Sequence, residues 1–270
     1  MAQFQLIRGA FFAGVTGVVM DVQSERDKAI ANLPHLRFVL STSRLDAQGR
    51  GNEAMIAAPL AVQDLKVEPS AYFGGRSVIK NVIKPDPNDP ETQIASKASQ
   101  TVFNLEGLGL QSFSLITEVV GYPKIYDATA ELFSLSSSQA DVCQSLRTAA
   151  SSDTLRFYPD NASTSFNYLG PAEFTVNTRH KLCLSWDRET NTSALYLNDA
   201  SSAVRVVAHA PAPVIPISPI MKYCIGNRTN SVSFGWVGEI GDSLVADVAV
   251  HRPEYAWIRQ QAFEALDMSV

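Results

Sequence analysis

Between residues 36 and 250 this chain is written largely in short alternating apolar runs separated by turn residues, a pattern that restricts it to an all-β architecture. The clearest run is "HKLCLSWD" at 180–187, where Leu182, Leu184 and Trp186 fall on one face. The polar stretch from Asp187 to Thr192 then turns the chain, and "ALYLN" at 194–198 returns it as the second strand of a hairpin. Further strands are read at 36–41, 132–135, 155–158 and 174–176. A pair of strands is expected between Thr101 and Val120, broken near Gly107 and Gly109. Regular short strands with turn clusters predict a β-sandwich.

Helical signals occur at two places. In "SERDKAIAN" at 24–32, Ser24 can cap and Asp27 sits at the capping-box position, with Leu33-Pro34 ending the helix. Near the C-terminus Pro253 suits the first helical position and Glu254 suits the positive helix end. Tyr255, Ile258, Ala262 and Leu266 then form a stripe that can lie on a sheet. Trp257 points off that stripe, either as a partner contact or as a lid over a sheet edge. Two proline-rich stretches read as connections. "KPDPNDPE" at 84–91 predicts an exposed extended loop, and "PAPVIPISP" at 211–219 a segment along a sheet edge or between sheets.

The stretch "GWVGEIGDSLVADVAV" at 235–250 places three carboxylates in an apolar run. Read as one unbroken strand, Trp236, Ile240, Leu244, Ala246, Val248 and Val250 make a continuous apolar face. Glu239, Ser243, Asp247 and His251 mark the other face. Asp242 is the exception on the apolar face and requires a hydrogen-bond partner. Gly238 and Gly241 let the strand bend or a neighbour approach closely.

The order of these pieces resembles the concanavalin A-like jelly-roll superfamily in its laminin-G-like and pentraxin-like branch. The resemblance rests on Trp186-Asp187, "LYLN" at 195–198, "IGNR" at 225–228, "GEIGD" at 238–242 and "LVAD" at 244–247, and Phe113-Ser-Leu-Ile-Thr117 resembles an early strand of that family. Asp199 stands where the family has a turn glycine. The resemblance covers about 101–266 and implies a concanavalin A-like jelly-roll sandwich with a short C-terminal helix and an N-terminal extension. The jelly-roll domain is placed at 66–270, and 1–65 is read as an assembly arm or extra strands.

Glycan-cleaving members of the superfamily carry acids in an E-x-D-x-x-E run on one strand face. Here Glu239 and Asp242 are three apart, which an unbroken strand sends to opposite faces. Glu239 and Asp247 share a face but lie about 26 Å apart along a strand, against about 5–10 Å for a glycosidase pair. No nucleophile elbow, P-loop or dinucleotide glycine pattern is present. His35, His180, His209 and His251 have no motif partner, and His180 and His251 are expected to face solvent at strand ends. No catalytic or metal-binding residue is therefore assigned, and no cofactor is expected apart from calcium. The resemblance allows calcium at a loop rim, where Asp160-Asn161 or Asn227 would supply oxygen ligands.

A net charge of −5 with no Lys/Arg cluster argues against nucleic acid as partner. The apolar "GAFFAGVTGVVM" at 9–20 is too short to span a membrane, and no small-x-small cleavage site follows it. Cys143, Cys183 and Cys224 are read as free, mostly buried thiols formed in a reducing cytosol. Unpaired cysteines without a leader, in a domain type that usually works outside cells, point to a virus particle assembled in a host cytoplasm. The expectation is a non-enzymatic structural or adhesive virion protein, such as a phage tail-fibre, baseplate or head-decoration component. Its partners would be copies of itself, other virion proteins and a host surface glycan. Phe4, Leu6, Phe11, Phe12 and Trp257 are the candidate assembly contacts. The alternative is a carbohydrate-active enzyme or soluble lectin.

Overall fold

The hairpin read at 180–198 lies within the larger of two antiparallel sheets. The computed structural model describes residues 24–42, 60–62, 65–81, 83–86, 89–95, 99–106, 112–123, 125, 129–136, 142–149, 153–160, 166–210, 220–226 and 235–268. Helix α1 (Glu25–Ala31) and strand β1 (Leu36–Leu40) come first, and the capping box of Ser24 and Asp27 is formed as read. Next are β2 (Leu60–Val62), β3 (Leu65–Pro69), β4 (Ser77–Asn81), β5 (Ile83–Asp86) and β6 (Asp89–Ala95). Strands β7 (Ser99–Glu106), β8 (Phe113–Gly121), β9 (Glu131–Ser136), β10 (Val142–Ala149), β11 (Thr154–Tyr158) and β12 (Asn167–Leu169) follow. The chain then forms β13 (Arg179–Asp187), β14 (Thr192–Leu197), β15 (Arg205–Ala208), β16 (Ile220–Ile225), β17 (Gly238–Ala246) and helix α2 (Ala256–Asp267).

The larger sheet runs β15-β14-β13-β8-β17-β4-β3, and β1 pairs with the second half of β17 where β4 pairs with the first. The smaller sheet runs β12-β11-β10-β9-β16-β7-β2. Two antiparallel sheets and a short C-terminal helix are the architecture expected from the strand pattern. Between the sheets lie Phe113, Leu115, Leu184, Trp186 and Leu195 from one side and Phe133, Leu146, Leu155 and Phe157 from the other, all buried. Each such burial contributes about 1.5–3 kcal/mol, so the alternation is also the main stabilising pattern. A second apolar layer joins α1 and α2 to the outer face of the larger sheet through Ile30, Leu33, Ile116, Leu244, Ile258, Ala262 and Leu266.

Five local readings change, the first being 174–176, which is part of the turn between β12 and β13 and not a strand. The strands read as a pair between 101 and 120 separate, with β7 in the smaller sheet and β8 in the larger. The proline-rich stretch at 84–91 contributes to a two-strand ribbon, β5 with β6, that belongs to neither sheet. Such a ribbon has only edge strands, where proline's missing donor is tolerated. His180 is buried rather than solvent-facing: its Nε2 donates to the Thr175 carbonyl at 2.9 Å and its Nδ1 accepts from Asn198 Nδ2 at 3.1 Å. Finally, β17 has no single continuous apolar face.

The reason is a β-bulge. Ile240 pairs with Val119 and Ser243 with Thr117, so Gly241 and Asp242 together oppose Glu118 alone. The extra residue swaps the faces. Ile240 and Val245 enter the core between the sheets, whereas Leu244 and Ala246 lie under the helices. Gly241 is required at this point, because a Cβ there would stand 2.7 Å from Phe73 Cε1 and 2.9 Å from Glu118 Cβ. At Gly238 a Cβ would meet the Val120 carbonyl oxygen at 1.9 Å, so both glycines serve close backbone approach.

Candidate functional site

The bulge gathers carboxylates that the unbroken-strand reading had separated. Asp242 and Glu118 both reach Arg26 on the helix-covered side of the larger sheet. Glu239 lies on that side too, because its neighbour Ile240 faces the inter-sheet core. The placement of Glu239 and Asp242 on opposite faces is thereby corrected, and the two-against-one pairing is the cause.

Each acid is held by donors. Arg26 lies fully inside, donating from Nε to Asp242 Oδ2 at 3.0 Å and from Nη2 to Asp242 Oδ2 at 2.7 Å and Glu118 Oε2 at 2.8 Å. The other Asp242 oxygen accepts from Thr42, through its backbone N–H at 2.8 Å and its hydroxyl at 2.9 Å. Asp242 thus has the partner its position demanded. Glu118 also receives Arg76, at 2.6 and 3.0 Å, and Arg179, at 2.9 and 2.5 Å. Burial works to raise the Glu118 carboxyl, but the bond from Arg76 and the charges of Arg26, Arg76 and Arg179 outweigh it and hold it below the ordinary glutamate range. Glu239 accepts from the Tyr122 hydroxyl at 2.5 Å and from the Ser70 hydroxyl, with Lys80 Nζ at 3.4 Å. Burial first, then the Glu239 hydrogen bond, push the Tyr122 phenol well above its usual range. With Glu118 held ionised and Glu239 and Asp242 enclosed by donors, the arrangement positions strands and a helix end.

Beside this cluster opens a cleft of about 380 Å³, lined by Tyr72, Phe73, Arg76, Arg179, Asp267 and Met268 among others. Its floor comes from the β3–β4 connection, where Ser70 caps a short turn of helix at Ala71–Phe73 and Gly74 and Gly75 adopt φ of +64° and +86°. Glycine adopts such positive φ values without steric cost. Tyr72 is 40% exposed and Met268 41%, so the cleft offers an aromatic face next to guanidinium and carboxylate groups. That is a surface for stacking a ring and bonding its hydroxyls.

Asp187, of the Trp-Asp pair, is an anchor. It accepts from Arg252 at 2.8 Å twice, from the Thr190 hydroxyl at 2.7 Å and from the Glu189 backbone at 3.0 Å. Burial opposes its ionisation, but these bonds win and lower its carboxyl far below the usual aspartate range. Trp257 is 44% exposed, with its indole N–H donated to the Glu254 carbonyl at 3.1 Å. Phe4, Leu6, Phe11 and Phe12 lie outside the described residues, as do Asn161, Asn227 and the 211–219 stretch. Asp160 is buried, and among the described residues no group of three or more His, Cys, Asp and Glu side chains is arranged to hold a metal ion. Cys183 and Cys224 are both buried, and burial pushes the Cys183 thiol up to about 12. Sequence reasoning missed Arg26, Arg76 and Arg179. The unexplained Asp242 was the one signal that a buried cation had to exist.

No family model and no curated protein matches the chain. Among solved structures, a Trypanosoma rangeli sialidase in complex with the inhibitor DANA is similar over 93% of this chain and 35% of its own, at 12% identity and a TM-score of 0.56. The native heptameric SAP-like pentraxin of Limulus polyphemus matches 56% of this chain and 68% of its own, at 18% identity and 0.43. The Ruminococcus gnavus IT-sialidase CBM40 bound to α2,3-sialyllactose matches 60% and 94%, at 13% identity and 0.45. The chain spans about a third of the trypanosomal sialidase, and at these identities the likeness speaks for fold alone. The two antiparallel sheets and the terminal helix, with the likeness to the sialidase chain, identify the architecture as a jelly-roll β-sandwich.

Proposed function

We propose that this protein is a non-enzymatic contact module, a jelly roll that engages a glycan at the Tyr72 cleft as part of a structural or adhesive assembly. The observation that carries the reading is the state of the carboxylates. Glu118, Asp242 and Glu239, the acids nearest to a glycosidase arrangement, are enclosed by arginine, threonine, serine and tyrosine donors. What remains open to solvent is the cleft with its exposed aromatic ring. The setting proposed is a virus particle. The free, buried Cys183 fits synthesis in a reducing cytosol, and self-association there would use Trp257 and the N-terminal Phe4, Leu6, Phe11 and Phe12. A calcium requirement, at Asp160-Asn161 or Asn227, belongs to the same proposal and would appear as loss of binding in chelator.

The test is a screen against neutral and acidic oligosaccharides with the wild-type chain and Tyr72→Ala. Binding in the millimolar to micromolar range that weakens about tenfold in Tyr72→Ala supports the cleft, an effect near 1.4 kcal/mol. Binding unchanged in that variant removes it.

A further inference from the structure

The cleft beside Tyr72 is lined by charged side chains, and the partners they already hold narrow what it can take. Phe73 is buried in the floor, with the Arg76 guanidinium 5.6 Å and the Arg179 guanidinium 5.9 Å from its ring centre. Arg76 engages all three of its nitrogens within the protein. Its Nε donates to the Phe73 carbonyl at 3.3 Å, and Nη1 and Nη2 donate to the two oxygens of Glu118 at 3.0 and 2.6 Å. Arg179 donates to Glu118 from Nε and Nη2, and from Nη2 to the Leu266 carbonyl at 3.0 Å. The Glu118 side chain is fully buried between them. A ligand carboxylate would have to draw one of these cations away from an acid that has no access to water.

The most exposed charge of the lining is negative. The Asp267 side chain is 51% exposed, against 28% for Arg179 and 16% for Arg76. Its Oδ2 accepts from Lys181 and its Oδ1 lies 3.4 Å from Arg179 Nη2, which leaves lone pairs on both oxygens for further donors. In the same lining, the 40% exposed Tyr72 ring is covered by no described guanidinium or aromatic side chain, and its hydroxyl bonds to no described residue. An uncharged ring rich in hydroxyls suits these groups. Its apolar face stacks on Tyr72, while its hydroxyls donate to Asp267 and accept from the phenol. An acidic ring meets the Asp267 carboxylate instead and is repelled.

We propose that the cleft selects neutral over acidic glycans, with Asp267 as the residue that sets the preference. The inference rests on the reading of the cleft as a glycan site, and it adds the chemical class that the site takes.

The experiment is calorimetric titration of the full chain with dextran, galactomannan and hydroxyethylcellulose, each beside a carboxymethylated form of the same backbone, at low and at high salt. Wild type, Tyr72→Ala and Asp267→Asn are compared, each with its thermal melt recorded. The expected result is binding of at least one neutral polymer with an affinity that salt leaves unchanged. The carboxymethylated form should bind about threefold to tenfold more weakly at low salt, and the gap should narrow at high salt, where repulsion is screened. Tyr72→Ala should lose about tenfold toward the neutral polymer. Asp267→Asn keeps the shape and removes the charge, so it should narrow the gap between the two forms at low salt. Tyr72-dependent binding that favours the carboxymethylated form, or that salt weakens, would overturn the class preference and leave the cleft reading standing. So would a gap that Asp267→Asn leaves unchanged. Absence of Tyr72-dependent binding to every polymer removes the cleft reading, and this inference with it.

Discussion

Arg26 and Asp242, 216 positions apart, form a buried ion pair of 2.7 Å that ties the first described helix to the bulge of the closing strand. The same guanidinium donates to the carbonyls at the end of α2, Ala265 at 3.1 Å, Met268 at 3.2 Å and Leu266, where a cation also complements the negative helix end. One side chain thus joins α1, β17 and α2. Removing it leaves the buried Asp242 without its nearest cation, while Glu118 keeps Arg76 and Arg179, so Arg26→Ala is expected to lose about 3–5 kcal/mol in urea unfolding. Asp242→Ala should also destabilise. The double variant should lose less than the sum of the singles, because both single changes break the same ion pair.

Gly241 makes that cluster possible. A methyl group there would enter the space of Phe73 and Glu118, both packed from neighbouring elements. Gly241→Ala is expected to cost about 1–3 kcal/mol by overpacking, measured as a shift in the urea midpoint with an unchanged slope. An unaltered midpoint would show that the bulge relaxes around the methyl group.

His180 sets a pH dependence. Burial, its leading influence, lowers the imidazole pKa despite the opposing bonds from Thr175 and Asn198. His251 is lowered in the same direction, again first by burial. A folded-state pKa below the unfolded one means that the unfolded chain takes up protons first as pH falls. Stability is therefore fully present above about pH 6.5 and declines as the solution is acidified from there toward the folded pKa. Glu118, also lowered, extends the loss below the ordinary glutamate range. His180→Gln keeps one donor and one acceptor, and it should flatten the slope of unfolding free energy between pH 7 and 5 by the equivalent of one group.

The fold was readable because it depends on period-two alternation, which each strand declares locally. "HKLCLSWD" shows its buried face at 182, 184 and 186 without reference to any partner. The capping box at Ser24 and Asp27 is equally local. The acid cluster was not readable, because a bulge is a relation between two strands. Nothing in "GEIGDS" says that two of its residues will oppose the single Glu118 of β8. The converging arginines come from positions 26, 76 and 179, and only the fold brings them together. Sequence did register the strain, in Asp242 sitting on a face where a lone carboxylate costs too much to bury.

On the proposed reading, the enclosed carboxylates hold the fold while the surface makes contact. Incubation of the wild-type chain with a polysaccharide that it retains, followed by assays of chain length and new reducing ends, distinguishes binding from cleavage. Retention with no cleavage is expected. New reducing ends that disappear in a folded Glu239→Gln or Glu118→Gln variant would contradict it.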